Sequence, residues 1–378
     1  MKILTAATLL LCGLASASIH EGNPKKQLKF NSNGKFKIVQ FTDIHFGEGL
    51  ANDQNNQRLI KQILEQEQPD LAVVTGDVVS GYAWNYWTRP WAALQYANFT
   101  KVLEEHGTYW ATTAGNHDTQ ADLNREQISE LDRSFNLSLT LPNAEANLSH
   151  AFNYVLPVFD KDGKEVQFRM WFLDSGDDNC LGVWGYDCVR NDQIEWFRRE
   201  QTKIDDKSKG KGFLFLHIPL FEYVNLYNDY SFFGTRGEDI CCWSVNTGLF
   251  SAIKEQPTVE WISAGHDHNN DYYGTYQGIN LAYGRKTGFG SYANITHGAR
   301  VFEITQDPYS IETWVREDGG NVVRETQSRP RDPFGSKPQT RCGGTLGKAA
   351  LIDPEDEELQ FLREYYLRRA DLRHLVKE

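Results

Sequence analysis

The chain reads as an α/β protein built largely on parallel sheet. Three observations predict this. Short continuous apolar runs recur at 37–41, 71–74, 109–113, 168–173, 213–216 and 259–263, each ending in polar residues. Unbroken runs of that length suit strands buried on both faces. Helical patterns lie between them. Finally, the 34 residues from Asp43 to Asp77 and the 39 from Asp77 to Asn116 leave room for a crossover helix in each gap.

The elements follow in order. Residues 54–68 place Leu59, Ile60, Ile63 and Leu64 on one helical face, and 192–204 place Ile194, Phe197 and Ile204 similarly. A third helical pattern covers 247–255. The later runs 272–275, 279–283, 300–304 and 311–315 are closely spaced and predict antiparallel pairing. A lead-in at 18–34 precedes the body at 35–316. Residues 317–352 are rich in Gly, Pro, Arg and Ser and predict an irregular surface excursion pinned by Cys342. Asp353-Pro354 then caps a final helix over 353–378, whose Leu359, Leu362, Tyr366, Leu372 and Leu375 would pack on the body.

Composition excludes several classes. The 378 residues carry 39 Lys+Arg against 51 Asp+Glu, a net charge of −12. An acidic surface repels phosphate backbones, so nucleic-acid binding by bulk charge is excluded. With 40% hydrophobic and 13% aromatic residues, the chain can bury a large core and is not disordered as a whole.

Met1-Lys2 precedes an apolar run that ends in Ala15-Ser16-Ala17, the pattern of a secretory signal peptide over 1–17. The run is too short to span a bilayer, which takes about 20 apolar residues. Glycosylation sequons at Asn98, Asn136, Asn147 and Asn294 fit that route. The expected location is extracellular, vacuolar or lysosomal. In an oxidising compartment most of Cys180, Cys188, Cys241, Cys242 and Cys342 should pair. Cys180 with Cys188 closes a short loop. Cys241 and Cys242 are adjacent, so one of them pairing with Cys342 is the natural second bridge, and one thiol stays free.

The polar ends of successive runs hold one class of residue: Asp43 and His45 (D-x-H), Asp77 (G-D), Asn116, His117 and Asp118 (G-N-H-D), His217, then His266 and His268 (G-H-D-H). Sites of open α/β sheets form at the carboxyl ends of strands, so these side chains should converge. Carboxylate, amide and imidazole ligands suit Zn, Mn or Fe. Seven ligands exceed what one tetrahedral ion needs and match two ions sharing a carboxylate.

This ordered set resembles that of the calcineurin-like metallophosphoesterases, over roughly residues 35–316. The flanking text, 36–45 and 265–271, resembles the branch related to purple acid phosphatases, in its single-domain secreted form. The resemblance implies a four-layer α/β/β/α sandwich with mixed sheets. It implies a first metal on Asp43, His45 and His268, a bridging Asp77, and a second metal on Asn116, His217 and His266. The metals would be divalent or mixed-valence. A metal-bridged hydroxide would attack phosphorus in line, with His117 as general acid, Asn116 near a phosphate oxygen and Asp118 orienting His117 or standing behind it. One departure matters. Purple members carry G-D-x-x-Y with an iron-binding Tyr, whereas Ser80 stands at that position here, so no tyrosinate colour is expected.

The implied substrate is a small phosphomonoester. A phosphodiesterase acting on nucleotides or phospholipid head groups is the near alternative, and a non-catalytic secreted binding protein the rival from another class. A redox role for Cys241-Cys242 is more distant. The aromatic stretch 81–96 is either a substrate wall, with Tyr82 and Arg89 as contacts, or an insertion packed on itself. Tyr223, Tyr227 and Tyr230 raise the same question. Gly284, Gly288 and Gly290 read as tight turns near the site. Asp174 reads as a cap or a support to the site, and His150 and His297 as structural.

Overall fold

The computed structural model describes residues 22–328, 330 and 337–343. The proposed signal peptide and the proposed C-terminal helix lie outside these residues.

Among the described residues two mixed sheets form. One has seven strands. Its central strand Lys35–Thr42 pairs parallel with Leu71–Thr75, which pairs parallel with Trp110–Thr113. On the other side Lys35–Thr42 meets the antiparallel hairpin Gly298–Thr305 and Ser310–Glu317. The second sheet has nine strands around a parallel core of Val166–Phe172, Gly212–Phe215, Trp261–Ala264 and Ile279–Tyr283. Antiparallel strands flank this core, as Tyr273–Tyr276 does beside Ile279–Tyr283.

The sheets face each other across aromatic side chains. Phe213 and Trp261 of one sheet meet Phe302 of the other, with ring centroids 5.2 and 5.5 Å apart. Offset and edge contacts of this kind add to the area term. Leu59, Ile60, Ile63 and Leu64 of helix Leu50–Glu67 cover the outer face of the first sheet with Phe99 and Leu103 of helix Trp91–His106. Each such side chain stabilises by about 1.5–3 kcal/mol on full burial. Helices Asn191–Gln201, Glu222–Asp229 and Leu249–Glu255 cover the second sheet through Phe197, Leu226 and Ile253. The result is the four-layer α/β/β/α sandwich.

Helix boundaries follow local chemistry. His106 closes its helix, before Gly107 at φ 80°. Asn124 caps helix Arg125–Ser134 through a reciprocal pair with Gln127, both hydrogen bonds at 2.9 Å. The excursion after Glu317 is less irregular than expected. Val322–Val323 and Gln327–Ser328 add two-residue strands, one to each sheet, because backbone groups at a sheet edge seek partners.

Candidate metal centre

Every proposed ligand sits just past a strand end. The first sheet delivers Asp43, His45, Asp77 and Asn116, and the second delivers His217, His266 and His268. All seven are buried. Four of them hold left-handed backbone: Asp43 at φ 52°, His45 at 59°, Asp77 at 50° and His266 at 77°. Such conformations cost about 1–3 kcal/mol each and persist only where the surroundings impose them. Here the loops lock one another. The amides of Ile44 and His45 donate to the Asp77 carbonyl at 2.9 and 3.0 Å, and the His266 amide donates to the Asp43 carboxylate at 3.1 Å.

Ligand atoms of Asp43, His45, Asp77 and His268 lie within 4.8 Å of one another. His45 Nε2 lies 3.8 Å from Asp77 Oδ2, and His268 Nε2 lies 3.6 Å from Asp43 Oδ1. Alongside, His217 Nε2 lies 3.0 Å from Asn116 Oδ1 and 3.2 Å from Asp77 Oδ2. His266 joins them with its ring centroid 5.1 Å from that of His217, and its buried Nε2 has no hydrogen-bond partner among the described residues. Asp77 therefore stands between the two groups. The arrangement concentrates acceptor atoms, and a cation satisfies such a set. Its N/O chemistry fits Zn, Mn or Fe.

The electrostatics agree at three of the four histidines, and His217 must shed a proton to ligate. Burial pushes His45, His266 and His268 well below the ordinary histidine range, which keeps them neutral as metal ligands must be. Burial opposes ionisation of Asp77, but the imidazoles of His217 and His117 prevail and hold its carboxyl well below the usual range. Burial likewise opposes protonation of His217, yet neighbouring Asp77 lifts it to about 9. Lys286, also buried, donates from Nζ to the Asp43 carbonyl at 2.9 Å and places a positive group behind the acids.

His117 is half-buried at the edge of the set. Its amide donates to Asp77 Oδ1 at 2.8 Å, and its Nδ1 pairs with Gln120 Oε1 at 2.9 Å. Asp118 does not orient it. Both Asp118 oxygens accept backbone N–H groups, from Asp77 (3.0 Å), Val79 (3.0 Å) and Gly115 (2.7 Å), so the carboxylate clamps two loops together. A carboxylate saturated by backbone donors has little left for a substrate.

Tyr82 does reach the site, with its ring 4.8 Å from that of His117. Arg89 does not. It is exposed and lies over Trp84 at 5.0 Å, because residues 84–89 pack on themselves through Trp84 Nε1 to the Thr88 carbonyl and an Asn85 turn. Tyr223 and Tyr227 are core residues. Gly288 is not a turn glycine: a Cβ there would lie 1.6 Å from the Ile44 carbonyl oxygen, so it permits close backbone approach. Asp174 pairs with Arg125, and His150 lies against the Cys188 carbonyl. Bridges join Cys180 to Cys188 and Cys242 to Cys342, so of the adjacent pair it is Cys242 that takes the second bridge and Cys241 that stays free. Asn136, Asn147 and Asn294 are exposed, whereas Asn98 is half-buried within a helix.

Other contributors also escape sequence reading. Arg125 is buried, pairs with Asp174 and Asp177, and donates to the Gly115 carbonyl at 3.1 Å, which anchors the loop bearing Asn116 and His117. Tyr186 lies edge-on to His266, 4.3 Å between centroids, and Tyr292 stacks on His268 at 4.4 Å. Neither tyrosine lies near a motif in the chain.

Comparison with known proteins places this geometry. The family model for calcineurin-like phosphoesterases matches residues 36–270. A protein from Arabidopsis thaliana named probable inactive purple acid phosphatase 14 is 28% identical, over 85% of this chain and 90% of its own. Phosphatase DCR2 of Saccharomyces cerevisiae is 28% identical over 78% of this chain and 56% of its own. The crystal structure of a dimetal phosphatase from Danio rerio shares the fold, with a TM-score of 0.52 at 13% identity, over 78% of this chain and 99% of that one. With the motifs gathered at one end of a shared sandwich and the family match spanning most of the chain, this protein belongs to the calcineurin-like phosphoesterase family.

Proposed function

We propose that the chain is a dinuclear metal-dependent phosphoesterase of the secretory route that hydrolyses small phosphomonoesters. The observation that carries this is the position of Asp77 between two groups of buried nitrogen and oxygen atoms, with His117 at the edge. In this reading Asp43, His45 and His268 hold one ion, Asn116, His217 and His266 the other, and Asp77 both. The ions, whether Zn, Mn or Fe, would supply Lewis-acid charge and would lower the pKa of water toward neutrality. His117 donates a proton to the leaving oxygen, and its Nδ1 contact with Gln120 fixes the ring for that task. Around the buried ligands, charge that develops on phosphate is met by fixed groups. The two disulfides support an oxidising compartment. Among the described residues no helix is long and apolar enough to cross a membrane.

Relatives named as probable inactive phosphatases favour one second reading, a binding protein that keeps the fold without turnover. Hydrolysis of an aryl phosphate monoester and its bis-ester, with metals stripped and then restored, decides. Metal-dependent monoester turnover that dominates supports the proposal. Dominant bis-ester turnover points to a phosphodiesterase. Two bound metals without turnover of either ester support the binding protein.

A further inference from the structure

His45 depends on a side chain for its orientation, whereas two neighbouring histidines do not. His217 Nδ1 faces the Thr75 carbonyl at 2.7 Å, and His268 Nδ1 faces the Tyr292 carbonyl at 2.9 Å. A carbonyl only accepts, so both rings carry hydrogen on Nδ1. His45 Nδ1 instead faces the buried hydroxyl of Ser80 at 2.8 Å, and a hydroxyl can donate or accept. What settles its direction is Glu48. Ser80 Oγ lies 2.5 Å from Glu48 Oε1, which as a carboxylate has no hydrogen to give. The hydroxyl's other acceptor, the Tyr82 oxygen, is farther at 3.2 Å, so the single hydroxyl hydrogen goes to Glu48, and with either partner it is not directed at His45. Toward His45, Ser80 then only accepts. Nδ1 must bear hydrogen, and the Nε2 lone pair is directed at the centre.

Glu48 does more than hold Ser80. The Tyr82 hydroxyl donates to the same Oε1, and the Ser291 amide donates to Oε2 at 2.6 Å. Tyr82 packs on His117, and Ser291 precedes the Tyr292 carbonyl that orients His268. One carboxylate thus ties its own loop, which carries His45, to the loop of Ser80 and Tyr82 beside His117 and to the loop whose Tyr292 carbonyl orients His268.

We propose that Glu48 is a positioning residue that sets the tautomer of His45 through Ser80, and with it the metal affinity of the half-site built by Asp43, His45 and His268. This rests on the metal-centre reading above. Outer partners of metal-bound histidines raise affinity about 10–100-fold in general.

The test uses the full chain. Nitrogen-edited NMR of the imidazoles in the chelator-stripped protein reports the His45 tautomer without any metal. Competition between protein and a chromophoric chelator for Zn²⁺ reports the stepwise affinities. Wild type should carry hydrogen on Nδ1. Ser80→Ala and Glu48→Ala should populate the Nε2–H form and lower one Zn²⁺ affinity about 10–100-fold, leaving the other within about threefold. Ser80→Thr, which keeps the hydroxyl, should restore both readouts. It also serves as the folded comparison if an alanine variant is unstable. Hydrogen on Nε2 in wild type overturns the proposal. So does unchanged affinity at both sites in folded Glu48→Ala and Ser80→Ala, even if their melting temperatures fall. If wild type binds no Zn²⁺, the metal-centre reading fails, while the tautomer still tests the relay.

Discussion

The Nε2 atoms of His45 and His268 face each other across 3.2 Å. With both Nδ1 atoms donating elsewhere, two lone pairs point into one small volume. Such an encounter is unfavourable without a cation between them. Metal removal should therefore destabilise the fold itself. A ligand present at a hundred times its Kd adds about 2.7 kcal/mol. For a chain of this size that is about 3–4 °C of Tm. Calorimetry before and after dialysis against a strong chelator measures it. Identical transitions would contradict a metal role for this cluster.

His117→Asn should separate acid catalysis from metal binding. Two metals should still bind, because His117 is not among the seven proposed ligands. Loss of a general acid costs about 10²–10⁴-fold. The loss should be largest for an alkyl phosphate, whose leaving oxygen needs a proton, and smallest for a phosphate of an acidic phenol. Steady-state rates across a leaving-group series measure this. An equal loss for every ester would remove His117 from the acid role.

Asp118 is expected to act on stability more than on chemistry. Its carboxylate accepts three backbone N–H groups from two loops. Asp118→Asn replaces one acceptor oxygen with a donor and leaves a buried N–H unpaired, at about 1–3 kcal/mol. Urea denaturation of the metal-free protein should show a loss of this size. A pH–rate profile whose limbs keep their positions in the variant would agree with a loop clamp, and a shifted limb would restore a direct role.

These contrasts mark what a sequence reveals. Each metal-ligand candidate was legible because it follows an apolar run directly, and strand ends of one sheet share an edge. The second sheet's contribution was legible for the same reason at His217 and His266. Contacts between distant segments were not. Glu48 meets Ser291 across 243 positions, and Arg125 meets Asp174 across 49. No periodicity signals such pairs, because only the packed sheets bring them together. Arg89 misled for a related reason: an arginine near aromatic residues is as apt to stack on them as to bind phosphate.

The two disulfides should differ in weight. The Cys242–Cys342 bridge spans 100 positions and the Cys180–Cys188 bridge spans 8. Loop-closure entropy predicts about 4–5 kcal/mol for the former and about 2–3 kcal/mol for the latter. Cys342→Ser should therefore shift the urea midpoint further than Cys180→Ser. The reverse order would mean that the long loop is already restrained in the unfolded chain.

Glu260 provides a pH signature remote from the metal-ligand candidates. Burial pushes its carboxyl up to about 7, and the Tyr309 hydroxyl donates to it. Because the folded value exceeds the unfolded one of about 4.5, the folded state holds this proton more tightly. The ionised form thus costs stability above pH 7, the cost shrinks as pH falls from 7 to 4.5, and below that it vanishes. Glu260→Gln keeps an acceptor for Tyr309 and removes the charge. It should raise stability by about 1 kcal/mol at pH 8, allowing for the solvent that reaches this half-buried group. At pH 4 it should change nothing. Denaturation midpoints of the pair across that range give the answer. A gain that persists at pH 4 would show that packing, and not the carboxylate charge, is what the substitution relieves.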